Sequence, residues 1–121
     1  MATTFEQAAH GQAARLPITA IARYLEDVLG QRLTAVVAGT TDAKAVSKWA
    51  NGTRTPHPET ERNLRHAYHV AQLLMQVEAA ETVRAWFAGM NPDLDDVAPA
   101  LLIATDPGRV VQAARAFLAN G

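Results

Sequence analysis

Apolar side chains recur at intervals of three and four positions along most of the chain, which is the pattern of amphipathic helices. No segment shows a convincing alternation of apolar and polar positions, so the sequence predicts an all-α fold. The first predicted helix has its apolar positions at Ile18, Ile21, Ala22, Leu25, Val28 and Leu29, and Gly30 ends it. Further helices are predicted over approximately residues 33–38, 42–50, 59–79, 98–104 and 107–119, and another carries a stripe of Val83, Trp86, Phe87 and Met90.

Capping and helix-breaking residues delimit these segments. Thr41 is the predicted N-cap of the third helix, and Asn51-Gly52 ends it, because Asn and Gly tolerate a left-handed backbone. Gly89 and then Asn91-Pro92 interrupt the fifth helix, since a proline disfavours the helical conformation of the residue before it. Asp106-Pro107 pairs a capping carboxylate with a proline in the first turn and predicts the start of the last helix.

The distribution of apolar residues around the fourth predicted helix differs between its two halves. Its first half has one apolar and one polar face, whereas from Val70 onward apolar residues occupy nearly the whole circumference. A helix that is apolar all round must be covered on more than one side. We therefore expect a partner or a second copy of the chain to cover part of it. The apolar positions concerned are Val70, Ala71, Leu73, Leu74, Met75 and Val77.

Composition narrows the classes of protein to consider. The chain has 121 residues and no cysteine, which excludes disulfides and cysteine nucleophiles and fits a reducing compartment. No apolar run approaches the ~20 residues that span a bilayer, and residues 1–15 lack the apolar segment of a signal peptide. We expect a cytoplasmic protein with no membrane association. A chain of this length forms one unit, or two half-sized units that share a core.

The net charge of −1 hides an uneven distribution. Between Arg32 and Arg65 six lysines and arginines stand against three acidic residues, whereas from Glu78 onward three arginines stand against six acidic residues. A basic middle and an acidic end favour two surfaces with two different partners. The alternative is that these charges are ordinary solvated helix faces.

Residues 33–52 have the pattern of a helix-turn-helix, in which Val46 and Trp49 would hold the second helix against the first. That helix would enter the major groove of DNA, with cations neutralising phosphates and Asn or Ser reading base edges. The segment resembles Xre-like DNA-binding proteins, whose recognition helix often ends in Trp-x-x-Gly, as at 49–52, with a proline soon after, as at Pro56. The alternative is a scaffold that has lost DNA binding. The candidate DNA-binding residues are Lys44, Ser47, Lys48, Asn51 and Arg54.

Residues 86–102 read Trp-Phe-Ala-Gly-Met-Asn-Pro-Asp-Leu-Asp-Asp-Val-Ala-Pro-Ala-Leu-Leu. This run resembles the toxin-binding domain of the Xre/MbcA/ParS family, which has a Trp-led helix, an Asn-Pro-x-Leu turn, a Pro-x-x-Leu-Leu helix and a final amphipathic helix ending in glycine. With the upstream segment, the resemblance covers about residues 18–121. The family often has glycine where this chain has Asp95 and Asp96, which predicts an altered loop, because aspartate adopts a left-handed backbone less readily. We interpret the two aspartates as caps of the next helix.

The resemblance implies an antitoxin of a type II toxin–antitoxin system, paired with a RES-domain toxin that degrades NAD. In the family the C-terminal helix and tail lie over the NAD pocket of the toxin, so the antitoxin needs no catalytic residue and no cofactor. Operator DNA would be a second partner, and the expected assembly is a homodimer within a larger toxin–antitoxin complex. For the large apolar candidates, packing in the core is the alternative. The candidate toxin-binding residues are Trp86, Asn91, Asp93, Arg109, Arg115, Phe117, Leu118, Asn120 and Gly121.

The predicted organisation is a flexible tail over 1–17, a helix-turn-helix region over 18–57, a connecting helix over 58–78 and a toxin-binding domain over 79–121. Two other hypotheses remain open: a dimeric helix-turn-helix transcription regulator without a toxin, and a helical adaptor that has lost DNA binding. A metal site is not expected, because His66 and His69 lie one helical turn apart without an evident third ligand.

Overall fold

Helices make up nearly all the regular structure of residues 16–120, the part of the chain that this computed structural model describes. A short 3₁₀ helix, Pro92–Leu94, and an isolated bridge between Asn91 and Val97 are the other regular features of this range. The all-α prediction is confirmed. The helices are α1 (Ile18–Leu29), α2 (Gln31–Ala38), α3 (Lys44–Asn51), α4 (Pro58–Met75), α5 (Ala80–Ala88), α6 (Pro99–Leu102) and α7 (Pro107–Asn120).

Glycines separate the first three helices. Gly30 has a φ of 85°, which other residues rarely adopt, so the chain turns there and α2 begins at once, earlier than predicted. Gly52 ends α3 in a left-handed conformation, as predicted. The start of α3 differs from the prediction. Asp42, and not Thr41, accepts a hydrogen bond from the Lys44 amide, at 3.1 Å, and the helix begins two residues later than the pattern indicates.

The helix α4 lies in the middle of the fold and contacts α1, α2, α5 and α7. It ends at Met75, so Val77 falls in the following turn and is 70 % exposed. Residues 70, 71, 73 and 74 are buried by the chain itself. The apolar circumference of this helix therefore reflects its central position, and a partner is not required to cover it.

The C-terminal half contains the short helices α5 and α6, the 3₁₀ helix between them and the longer α7, joined by tight turns. The predicted apolar stripe of the fifth helix included Met90, but the helix ends at Ala88 and Met90 is 80 % exposed. Asp95 and Asp96 both have a left-handed backbone, and neither caps the next helix, whose N-cap is Ala98. The start of α7 is as predicted, since Asp106 Oδ1 accepts from the Arg109 amide at 3.3 Å.

One hydrophobic cluster contains side chains from every one of these seven helices. Polar side chains form hydrogen bonds between the helices that surround this cluster. Asn63 Nδ2 on α4 donates to the Ala38 carbonyl at 3.1 Å, and Arg84 Nε on α5 donates to the Val28 carbonyl at 3.1 Å. Leu16, at the end of the predicted tail, packs against the cluster, whereas residues 1–15 of that tail lie outside the described range. No helix in the described range is long and apolar enough to cross a membrane.

Candidate functional site

Both lysines of the chain, Lys44 and Lys48, lie on one exposed face of α3. Positions four apart on a helix are neighbours on its surface, so the two ammonium groups form a compact basic patch that continues towards Asn51. The opposite face of α3 carries Val46 and Trp49, which are buried against the core. The packing of α3 therefore determines which side is turned outward, and Lys44, Lys48 and Asn51 of the candidate DNA-binding set lie on that side.

Ser47 lies on the lysine face but is half-buried under two neighbouring helices. Its Oγ donates to Glu26 Oε2 on α1 at 2.5 Å and accepts a hydrogen bond from Gln31 Nε2 on α2 at 2.8 Å. A hydrogen bond this short to a carboxylate is charge-assisted and stronger than one between neutral groups. These three side chains, Glu26, Gln31 and Ser47, connect α1, α2 and α3 at the edge of the basic patch, and we call them the Ser47 triad.

The remaining DNA-binding candidates lie at the C-terminal end of α3. Asn51 Oδ1 accepts hydrogen bonds from Thr53, from its amide at 3.0 Å and from its hydroxyl at 2.7 Å. Arg54 lies beyond the helix, with Nη1 at 3.5 Å from Asp42 Oδ2 in a solvent-exposed pair. An exposed pair of this kind contributes about 0–1 kcal/mol, so the guanidinium can exchange Asp42 for a phosphate at small cost.

A cleft opens between the end of α5, the 3₁₀ turn and the side of α7 that faces them. Its volume is about 400 Å³. Five residues of the predicted toxin-binding set line it, although they come from sequence positions as far apart as 86 and 120. The lining residues are Trp86, Met90, Asn91, Pro92, Asp93, Ala113, Ala116, Phe117 and Asn120.

Aromatic packing supports the wall of this cleft. Trp86 meets the buried Phe87 edge-on, with ring centroids 5.3 Å apart, and lies 6.4 Å from the ring of Phe117 on α7. Trp86 is half-buried, and its Nε1 is a buried donor without an acceptor among the described residues. Asn91 orients the cleft's polar edge, since its Oδ1 accepts from the Asp93 amide at 2.9 Å and starts the 3₁₀ turn.

The other toxin-binding candidates lie outside the main cleft. Arg109 Nη2 donates to the Asp93 carbonyl at 3.4 Å and pairs with Asp95 Oδ2 at 3.3 Å, and it lines a smaller hollow of about 200 Å³ beside the cleft. Arg115 is exposed on α7, whereas Leu118 is half-buried and packs against the hydrophobic cluster. Gly121 lies outside the described residues.

Three residues of these surfaces were not predicted. Met90 was placed on the apolar stripe of the fifth helix and not among the binding candidates, although Gly89, which ends the helix before it, was a usable signal for its exposure. Glu26 and Gln31 carry no local signal, because only the packing of α1 and α2 against α3 brings them to Ser47, 21 and 16 positions away in the sequence.

Neither surface has the composition of a metal centre, and no group of three or more histidine, aspartate or glutamate side chains within residues 16–120 is arranged to hold a metal ion. The chemistry available is hydrogen bonding, charge pairing and apolar contact. Comparison with known protein families, with curated proteins and with solved structures found no match to this chain.

Proposed function

We propose that this protein is an antitoxin that binds its toxin through the cleft between α5 and α7. The observation that carries the proposal is the convergence of Trp86, Asn91, Asp93, Phe117 and Asn120 on one cleft. These residues were selected from the sequence because they resemble a toxin-binding domain, and their proximity in the fold is an independent property. The partner would be the RES-domain, NAD-degrading protein that the resemblance implies.

The make-up of the cleft suits a protein partner. Its lining combines aromatic side chains, an exposed methionine and polar groups at the rim, which is the composition of the energetically important centre of a protein interface. Met90 projects at the mouth with 80 % of its surface exposed, so a partner would bury a large apolar side chain there. Inhibition by covering another protein's active site requires such a contact and no catalytic group on this chain.

The test is recovery of the native partner. The tagged full-length chain is purified from its host under native conditions, and any protein recovered in near-equal amount is identified and assayed for NAD consumption after separation. We expect such a partner with the wild-type chain and its loss with Met90→Arg. The matched control is Val77→Arg, because Val77 is also an exposed apolar residue but lies in the turn after α4. Equal recovery with both variants, or no second protein, contradicts the proposal.

We propose further that α2 and α3 act as a helix-turn-helix and that α3 binds DNA. The supporting observation is the exposed lysine face of α3, with Arg54 beside it. Such a protein would repress its own operon as an antitoxin, or act as a transcription regulator without a toxin if no partner protein is recovered.

DNA binding is tested by gel shift with a duplex from upstream of the chain's own coding region. Lys48→Glu should weaken binding and flatten its dependence on salt, because each phosphate contact releases counterions. Arg115→Glu makes the same change in charge on α7 and should leave binding unchanged. If both variants behave alike, net charge and not the α3 face governs the interaction.

A further inference from the structure

We propose that Gln31, and not Ser47, is the side chain that reads a base in the DNA major groove, and that the base is adenine. This inference rests on the proposed DNA binding by α2 and α3. It follows from the Ser47 triad, in which Glu26 and Ser47 orient the amide of Gln31 at the edge of the lysine face.

The hydrogen-bonding capacity of Ser47 is largely used within the protein. A serine hydroxyl has one proton to donate and two lone pairs that accept. The proton goes to Glu26 Oε2 at 2.5 Å, and one lone pair accepts from Gln31 Nε2 at 2.8 Å. Ser47 therefore retains a single acceptor position and no donor, and its side chain is half-buried. Little remains with which it could distinguish one base from another.

Gln31, unlike Ser47, still has both a donor and an acceptor that are not used within the described part of the chain. A glutamine amide has two N–H donors and an acceptor oxygen. One N–H binds Ser47, and within residues 16–120 no other hydrogen bond uses the second N–H or Oε1. With the N–H anti to Oε1 bound to Ser47, the remaining N–H and Oε1 form an adjacent donor and acceptor. In the major groove adenine presents an acceptor, N7, next to a donor, N6–H, and a glutamine binds both at once. Guanine presents two acceptors and would satisfy only the N–H.

The position of the triad places this amide beside the phosphate-binding lysines. Ser47 follows Lys44 by three positions, so the two are neighbours on the surface of α3, and Ser47 lies at the edge of the exposed face that carries both lysines. Gln31 is the first residue of α2, and its side chain reaches across to Ser47 from that helix end. Glu26 acts as a positioning residue, because it touches Ser47 and holds the hydroxyl in the orientation that accepts from Gln31.

The experiment begins with selection from a pool of duplex oligonucleotides whose central segment is randomised. The enriched duplex, and versions in which each A·T pair is changed in turn to G·C, are then titrated with wild-type protein and with Gln31→Ala, Ser47→Ala and Gln76→Ala. We expect Gln31→Ala to lose roughly 5- to 150-fold discrimination at one A·T pair per half-site, with an unchanged salt dependence. Ser47→Ala should lose part of the discrimination at the same pair, because the amide is no longer oriented.

Gln76→Ala is the control, since Gln76 is an exposed glutamine in the turn after α4 and should bind as the wild type does. Circular dichroism of each variant establishes that it is folded. The inference is overturned if Gln31→Ala weakens all duplexes equally, which would indicate a phosphate contact, or if it changes nothing. A pool that yields no enriched sequence would instead overturn the proposed sequence-specific DNA binding, and the role of Gln31 with it.

Discussion

At the scale of single residues, Trp86 and Phe87 are neighbours on α5 with different surroundings. Phe87 has no exposed surface and belongs to the hydrophobic cluster, whereas Trp86 is half-buried and lines the cleft. Their rings contact each other edge-on, so the buried residue supports the one that faces the cleft. Substitution of Phe87 should therefore lower mainly the stability of the fold, whereas substitution of Trp86 should weaken mainly the binding at the cleft.

Phe87→Ala should lower the free energy of unfolding by about 3–5 kcal/mol, because it removes a fully buried ring and leaves a cavity. Trp86→Ala should lower the free energy of unfolding by less than about 3 kcal/mol but should abolish recovery of the proposed partner protein. Urea denaturation followed by circular dichroism measures the first effect and native purification the second. Equal destabilisation by both substitutions would place Trp86 in the core and remove it from the proposed interface.

Glu26 and Gln31 show how a residue acquires a role from its contacts. Each is a polar residue that by its type would be expected to face solvent, and both instead hold Ser47 beside the basic patch. The buried Asn63 is similar, since its amide satisfies the last carbonyl of α2 and so fixes α4 to the end of that helix. Such hydrogen bonds contribute about 0.5–1.5 kcal/mol each but determine where helices meet.

At the scale of elements, the turn between the 3₁₀ helix and α6 contains two consecutive left-handed aspartates. Asp95 and Asp96 have φ angles of 56° and 66°, which cost a residue with a Cβ roughly 1–2 kcal/mol each. The Asp96 amide donates to the Asn91 carbonyl at 2.9 Å, and Asp95 pairs with Arg109. These contacts hold the turn closed despite the backbone strain.

Asp96→Gly should therefore be more stable than Asp96→Ala by about 1 kcal/mol, because glycine adopts this conformation freely. Exposed Gln112 in the middle of α7 offers a control of opposite sign. There the glycine variant should be less stable than the alanine variant by about 1 kcal/mol, as helix propensity dictates. Thermal unfolding of the four variants measures both differences. The same sign at the two positions would show that strain in this turn is not significant.

The contact between α1 and α4 contains a pair of tyrosines. The rings of Tyr24 and Tyr68 pack edge to face with centroids 4.9 Å apart, and Gln72 Nε2 donates to the Tyr68 hydroxyl at 2.7 Å. Burial, and to a smaller extent the neighbouring Tyr68, raises the pKa of Tyr24 from 10.0 to about 12. Folding thus stabilises the neutral phenol.

Stability should consequently fall as the pH rises from 10 to 12. In this range the unfolded chain loses the Tyr24 proton while the folded chain keeps it, so the unfolded state binds fewer protons and gains from alkaline conditions. The slope attributable to this group stays below the limit of about 1.4 kcal/mol per pH unit that a difference of one full proton would give, because Tyr24 is only half-buried. It is measured as the difference between urea denaturation of the wild type and of Tyr24→Phe across this range. Parallel curves for the two proteins would contradict the assignment to Tyr24.

At the scale of the whole molecule, the proposed DNA-binding and toxin-binding halves share one hydrophobic cluster. The helix α1 contacts α5, α2 contacts α6 and α4 contacts α7, so three of the four N-terminal helices pack extensively against the C-terminal half. A chain with such a continuous core unfolds as one cooperative unit.

Single-tryptophan variants test this continuity. Trp86→Phe leaves Trp49, on α3, as the fluorescent reporter, and Trp49→Phe leaves Trp86, on α5. Within each variant we expect the fluorescence transition in urea to coincide with the transition in circular dichroism. Two separate midpoints within one variant would instead show that the two halves unfold independently.

The sequence by itself determined the helical class and several helix ends of this protein. Gly52 and Asp106 act on their immediate neighbours, through a left-handed turn and a capping hydrogen bond, and such local interactions can be read without knowing the fold. The apolar spacing likewise identified the inner face of α3, because burial follows the helical period.

Only the tertiary structure decided which surfaces are available. Segments that are distant in the chain decide three features: which helices bury α4, the exposure of Met90 and the hydrogen bonds of Ser47. The cleft exists because α7 packs back towards α5 and brings Phe117 near Trp86. In the sequence, the apolar spacing at each of these two residues is equally consistent with a position in the core. Packing is non-local, so the pattern along the chain predicts which faces are apolar but not which neighbour covers them.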